Sequence, residues 1–462
     1  MTLAQAGSDV NNSYDNNQSR LMNYRASWHP NAVDDVNFQF GFNHDVMGVG
    51  FWDSAIDKPH DMFVNENVQQ LEWVRRTDIS SELSLRYYHI QHDTSENYRV
   101  TAKGAPSYQA AAAVRTGRNE IELQHTLQAS ESNRLVYGGG YRQDQVDVSS
   151  SDSNPNPKTN PPPNSYISSF NFTEYRAFAN DEWRLNPKLI LNAGGMLEKD
   201  AMGFRTFSPR ASLNYHLTPQ HTLRIGTSVA HRTPSLGEQN ANQADLYQIG
   251  YLYEPSSNTT SAGLSPEKIV SREIGYLGEF HDWNTSLDLR FFSDQMTHMI
   301  YPLPNASALF QNGMTADYKG VEASVKHSFG NSSDLIFNYT EEWANSNDAS
   351  LNSAQQFSLL ESSLPKYIIN VLYSQRLPND LSFSAAYYFQ TSLIGFDRGP
   401  EDFQPTHRRI DLRLAQPFKG PVGLKGEVSG VVQNVFQTDY TEYVSTALNN
   451  RRAFVTLSFH WQ

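Results

Sequence analysis

Tyr247, Tyr251 and Tyr253 stand close together in a long polar stretch between His231 and Lys268, soon after Arg232. Their rings could stack on a flat ligand and their hydroxyls could hydrogen-bond to it, with Arg232 as a fourth candidate contact. The same tyrosines would also serve to pack their own loop or to line a water–lipid interface. His89, His92 and Asp93 are the closest approach to a metal set. Positions three apart on a strand face opposite ways, so these read as incidental histidines at a loop edge. No glycine-rich phosphate loop, paired catalytic carboxylates or nucleophile elbow is present, so no enzyme chemistry can be assembled and no cofactor is implied. The chain has no cysteine, which removes disulfides, thiolate metal sites and cysteine nucleophiles. A protein that crosses an oxidising periplasm gains from having no thiols to mispair.

The elements that must position these residues are strands. Val36, Phe38, Phe40 and Phe42 alternate with Asn37, Gln39 and Gly41; Leu287, Leu289 and Phe291 alternate with Asp288 and Arg290. Val455, Leu457, Phe459 and Trp461 alternate with Thr456, Ser458 and His460. One face of each run suits hydrocarbon and the other suits water. Short turns at His29–Asp35, Ser130–Asn133, Thr218–Gln220 and Gly330–Ser333 alternate with long polar stretches at His44–Glu66, His92–Arg118, Val148–Ser165 and His231–Lys268. That rhythm belongs to an all-β, antiparallel transmembrane β-barrel, with tight turns on one side of the membrane and loops on the other. The pattern gives about 19 strands of roughly 9–13 residues each, close to the ~9–11 that span a bilayer when tilted.

Composition agrees. Mean hydropathy is -0.58 and no apolar run approaches the ~20 residues of a spanning helix, which excludes a helical membrane protein and leaves a barrel open. The 24 Tyr and 25 Phe suit interfacial girdles. A formal charge of -13 argues against nucleic acid as a partner.

Residues 1–20 are polar, lack the basic start and apolar stretch of an export signal, and read as part of an extracellular loop, with the barrel domain at 21–462. An odd strand count does not close an antiparallel barrel. The expectation is therefore a piece of a 22-stranded parent lacking about three strands.

Several ordered segments then resemble the barrel of TonB-dependent outer-membrane receptors. They are Ser208-Pro209-Arg210 with Leu217-Thr218-Pro219 and Thr222-Leu223-Arg224, then His231-Arg232-Thr233-Pro234 running to Glu238. Leu264-Ser265-Pro266-Glu267 with Glu273-Ile274-Gly275, Gly320-Val321-Glu322, and Val432-Gln433-Asn434 with Arg452 follow in the family's order. His231 and Thr233 stand where the family has Phe and Ala.

The resemblance implies an outer-membrane receptor for a scarce ligand, most readily a ferric siderophore, gripped by Tyr247, Tyr251, Tyr253 and Arg232. It also implies outer-membrane lipid around the barrel and a TonB-type energy-coupling complex that acts through a plug domain outside this chain. Arg210 and Arg224 alternate with the lipid-facing Leu213 and Leu223 and are expected to face the lumen, where the resemblance implies a plug whose polar surface could pair with them; the alternative is that they pair with lumen carboxylates such as Asp288 and Glu322 and shape the wall. Haem is disfavoured because no histidine lies between Arg232 and Phe280. A passive porin-like channel and a non-functional remnant of a split receptor gene remain as alternatives. The chain by itself is not expected to perform energised uptake.

Overall fold

The computed structural model describes residues 14, 16–52, 58–78, 80–100, 107–152, 166–200, 202–235, 238, 263–302, 310–347, 360–394, 403–421, 423–436, 440–441 and 448–460. Nineteen strands form one antiparallel sheet in which each pairs with its neighbour in sequence. They are β1 (Asn17–Trp28), β2 (Asp34–Val49), β3 (His60–Asp78), β4 (Ser81–Val100), β5 (Tyr108–Gln128), β6 (Asn133–Asp152) and β7 (Tyr166–Asn186). Then come β8 (Leu189–Lys199), β9 (Arg205–Thr218), β10 (His221–Arg232), β11 (Glu267–Phe280), β12 (Thr285–Pro302) and β13 (Phe310–Phe329). The wall ends with β14 (Ser333–Asn347), β15 (Tyr367–Arg376), β16 (Ser382–Gln390), β17 (His407–Lys419), β18 (Lys425–Gln433) and β19 (Arg452–His460). Two two-residue hairpins, Leu393–Ile394 with Phe403–Gln404 and Tyr440–Thr441 with Leu448–Asn449, lie outside the wall.

Register shows why the sequence alternates. Opposed residues of antiparallel strands share a face, so the pairings carry Phe38, Leu71, Tyr87, Ile121, Tyr141 and Tyr175 in one row across β2–β7. One residue along, a second row on the other face holds Asn37, Glu72, Arg86, Glu122, Gly140, Arg176 and Glu198. The apolar row is exposed, with Ile121 at 45% and Tyr175 at 51%, so these side chains share no interior core. The six residues Val36, Phe38, Leu287, Leu289, Leu457 and Phe459 all belong to this apolar face by register.

Strand length departs from expectation. β4 and β6 have 20 residues, β5 and β7 have 21. At ~3.4 Å per residue and a tilt near ~40°, such strands rise roughly 50 Å, well above a ~30 Å hydrocarbon layer. The stretches read as loops at His44–Glu66, His92–Arg118 and Val148–Ser165 are thus in part strand. Beyond the row of Tyr87, Tyr141 and Tyr175, the next row on the same face is Gln69, His89, Asn119, Gln143 and Thr173. Both faces are polar there, so the ladder continues without the alternation that reveals it. His89 and His92 sit inside β4 rather than at a loop edge.

The short turns need a few special backbone conformations. Asn284, with φ 47°, closes the turn between β11 and β12, and Gly330, with φ 65°, opens the one between β13 and β14. At the opposite, long-loop end of β12–β14, Met299, Tyr301, Met314, Ala316 and Leu360 form a buried apolar cluster, with Met296, Tyr318 and Ala344 packed against it.

Candidate functional site

The polar face carries interlocked ions. Arg86 reaches Glu122 across one ladder step at 2.7 Å, and Arg118 grips both oxygens of Asp144 at 2.6 and 3.1 Å. Arg142 meets Glu174 at 2.5 Å. Arg176, on β7, crosses β6 altogether to bind Glu120 and Glu122 on β5. It can do so because Gly140 lies between them in register; a Cβ at Gly140 would sit 3.0 Å from the Arg176 Nε. The hydroxyl of Tyr88 donates to Glu120 at 3.0 Å, leaving that carboxylate fully engaged although only 5% exposed. Three consecutive glycines, Gly138-Gly139-Gly140, were the available sequence signal for this crossing.

Arg210 and Arg224 share that face by register. Arg210 reaches across Gly194 to the amide oxygen of Asn180 at 3.1 Å. Arg224 pairs with Glu273 at 3.0 Å, rather than with Asp288 or Glu322. Gly275 lies directly opposite Arg224 and opposite Arg290, so Glu273, one alternation away, receives both guanidiniums; Arg290 contacts it at 2.8 Å and extends to Glu322 at 2.9 Å.

At the long-loop end of β10, Arg232 binds Glu267 and both oxygens of Glu238, the latter at 3.0 and 3.1 Å. Glu238 and Ser235 also cap each other: the Ser235 N–H donates to the Glu238 carboxylate at 2.7 Å, and the Glu238 N–H donates to Ser235 Oγ at 3.2 Å. This is a capping box, readable in Ser-Leu-Gly-Glu but absent from the sequence reading. Glu267 is 6% exposed and also accepts the Ile300 N–H at 2.6 Å. Asn312 completes the clamp, accepting from the Ser265 N–H at 2.7 Å and donating to the carbonyl of His298 at 2.6 Å. His298 has φ 57° in a ladder irregularity, which an adjacent hydrogen bond must hold. Tyr247, Tyr251 and Tyr253 lie outside the described residues, in the segment that this clamp anchors at both ends. Among the described residues no cluster of three or more metal-ligating side chains forms.

Two tests follow at this rim. Burial raises the Glu238 carboxyl, but Arg232 and the Ser235 N–H outweigh it and hold the group below the ordinary glutamate value of 4.5. A depressed carboxyl stabilises the fold above the ordinary value and stops doing so as pH falls through its folded value. Pepsin cleavage between Arg232 and Glu267 is therefore expected to accelerate as pH drops below 4.5, and Glu238→Gln should flatten that dependence. Asn312→Ala should cost about 1–2 kcal/mol, because it strips partners from Ser265 and His298 together; equal chemical-unfolding midpoints for the variant and the parent would contradict the clamp.

The TonB dependent receptor-like β-barrel family matches residues 3–435. The chain belongs to that family. Its membrane is the outer membrane, and its exposed apolar face is the lipid face of a barrel. An iron-regulated outer membrane virulence protein of Vibrio cholerae is 25% identical over 287 residues, covering 59% of this chain and 42% of the relative. The chain thus spans under half the length of that relative. Among solved structures, the ferric yersiniabactin uptake receptor of Yersinia pestis has a TM-score of 0.73 at 14% identity, covering 96% of this chain and 71% of that one. A copper transporter has the same TM-score of 0.73 at 15% identity, covering 96% of this chain and 72% of that one. Identities this low establish the shared barrel; two such barrels with different cargo show that the wall alone does not name a ligand.

Proposed function

We propose that this barrel belongs to an uptake receptor for a scarce ligand, a ferric siderophore, energised by a TonB-type complex acting through a plug domain. The family match over residues 3–435 carries the reading, and the iron-regulated name of the Vibrio cholerae relative supports iron as cargo. In this reading Arg210 and Arg224 face the lumen, where a plug's polar surface meets them. Tyr247, Tyr251 and Tyr253 contact the ligand. Arg232, already held by two carboxylates, anchors the base of their loop and presents it.

Iron-chelate uptake by cells carrying the receptor should cease when the energy-coupling protein is deleted. Uptake that continues unchanged would replace the proposal with a passive channel. Changing Tyr247, Tyr251 and Tyr253 together to Ala should weaken chelate binding at least about tenfold, the loss of roughly 1.4 kcal/mol, with barrel insertion intact. Unchanged affinity would remove the three tyrosines from the site.

A further inference from the structure

On the lipid face, Tyr175, Lys199 and Arg205 stand in one row across β7, β8 and β9, at their long-loop ends. Lys199 and Arg205 are directly opposed in the ladder, and both are exposed. Like charges so placed repel across a Cβ separation of roughly 5 Å. Among the described residues no carboxylate pairs with either. Glu198 alternates to the other face, opposite Arg176. Asp200 is buried in the turn, where its Oδ1 accepts the N–H groups of Met202 and Phe204 at 2.9 and 2.8 Å. The Tyr175 ring leans on Tyr141, and among the described residues its hydroxyl has no hydrogen-bond partner. Toward the short turn, the next rows hold Leu197 opposite Ala177 and Phe207, then Gly195 opposite Ala179. A groove of about 450 Å³ opens there, lined by Ala177, Ala179, Ala193, Gly195, Leu197 and Phe207. The rise along β7 from Trp183 to Tyr175 is roughly 21 Å at ~3.4 Å per residue and ~40° tilt, close to the ~25 Å of an apolar band. The two cations thus lie at the headgroup level of the leaflet on the long-loop side, with the groove running into the hydrocarbon beneath them.

We infer that this row and groove form a site for a phosphorylated, acylated glycolipid of the outer leaflet, with a lipid A phosphate on Lys199 and Arg205 and an acyl chain in the groove. A phosphomonoester carries a charge of about −2 near neutral pH, which matches two cations. A phosphodiester headgroup, with a single charge, would leave one cation unopposed. Both side chains donate charge-assisted N–H bonds to phosphate oxygens, and the Tyr175 hydroxyl supplies another donor in the same row. The small side chains below let a hydrocarbon chain lie close against the backbone. The inference stands on the lipid face of the barrel and is independent of the uptake reading.

The test measures binding of three lipids to the folded full chain in detergent: lipid A with both phosphates, the same lipid with its phosphates removed, and phosphatidylglycerol. Intact lipid A should bind at least about tenfold more tightly than either of the others. Lys199→Gln combined with Arg205→Gln should weaken it by at least about tenfold, and Ala179→Phe, which fills the groove, by at least about threefold. Lys188→Gln, in the short turn at the other end of β7 and β8, should leave it unchanged. Without lipid, the double variant should unfold at the same or a higher urea concentration than the parent, because the repulsion is gone; that readout separates lost binding from lost folding. Equal binding of the dephosphorylated lipid, or full affinity in the double variant, overturns the cation site. Equal binding of phosphatidylglycerol overturns the assignment to a phosphomonoester glycolipid, and an affinity untouched by Ala179→Phe overturns the groove. A lipid-free double variant that unfolds at lower urea than the parent overturns the repulsion on which the site rests.

Discussion

Arg176→Met is expected to lower the unfolding free energy by about 3–5 kcal/mol, the cost of breaking a buried ion pair by removing one partner. Arg176 is the cation that bridges Glu120 and Glu122, whose side chains are 6% and 15% exposed. Tyr88 still donates to Glu120, and Arg86 still pairs with Glu122, so the loss is bounded rather than catastrophic. The measurement is urea unfolding in detergent, followed by the mobility shift between folded and unfolded barrel on a gel. Adding Glu120→Gln to Arg176→Met should restore more than half of the loss, because the stranded charge is then gone. A loss below about 0.5 kcal/mol, the ordinary range for a surface substitution, would mean that water already solvates both carboxylates. Gly140 offers an independent check of the same geometry. A valine there would block the path that Arg176 takes across β6 and should mimic part of its loss.

Leu123→Arg should cost about 2–4 kcal/mol, the penalty for a guanidinium facing lipid within the apolar band. Leu123 is 48% exposed, and its row on that face runs through Trp73, Leu85 and Gly139. One residue further, Gln124 faces the other way, so Gln124→Arg should change stability by less than about 0.5 kcal/mol. The contrast between adjacent residues is the point of the experiment. Equal costs would mean that the two faces meet the same solvent, which a membrane barrel does not allow. Refolding into lipid vesicles at graded denaturant, with both variants and the parent in parallel, reads the difference directly.

The faces of the wall were legible in the sequence because lipid imposes a period of two wherever it touches a strand. Phe38 and Leu457 could be assigned to the apolar side, and about 19 strands counted, on that ground alone. The ordered segments from Ser208 to Arg452 identified the family for the same local reason, since each is a contiguous run. Strand ends were not legible. Above the row of Tyr87, Tyr141 and Tyr175 water bathes both faces, so residues such as His89, Gln91 and Gln145 carry no periodic mark although their backbones remain paired.

Pairing between distant charges was decided by tertiary structure. Nothing local to Arg224 selects Glu273 over Asp288 or Glu322; register does, by setting Gly275 between two arginines and leaving Glu273 within reach of both. Arg176 finds its partners two strands away only because Gly140 carries no side chain to stand between them. Glu267 and Arg232 are 35 residues apart along the chain, yet opposed in the ladder between β10 and β11. Alternation tells a residue which solvent it faces. Which side chain it meets depends on the register of strands that are adjacent in space, and that register exists only once the sheet has formed.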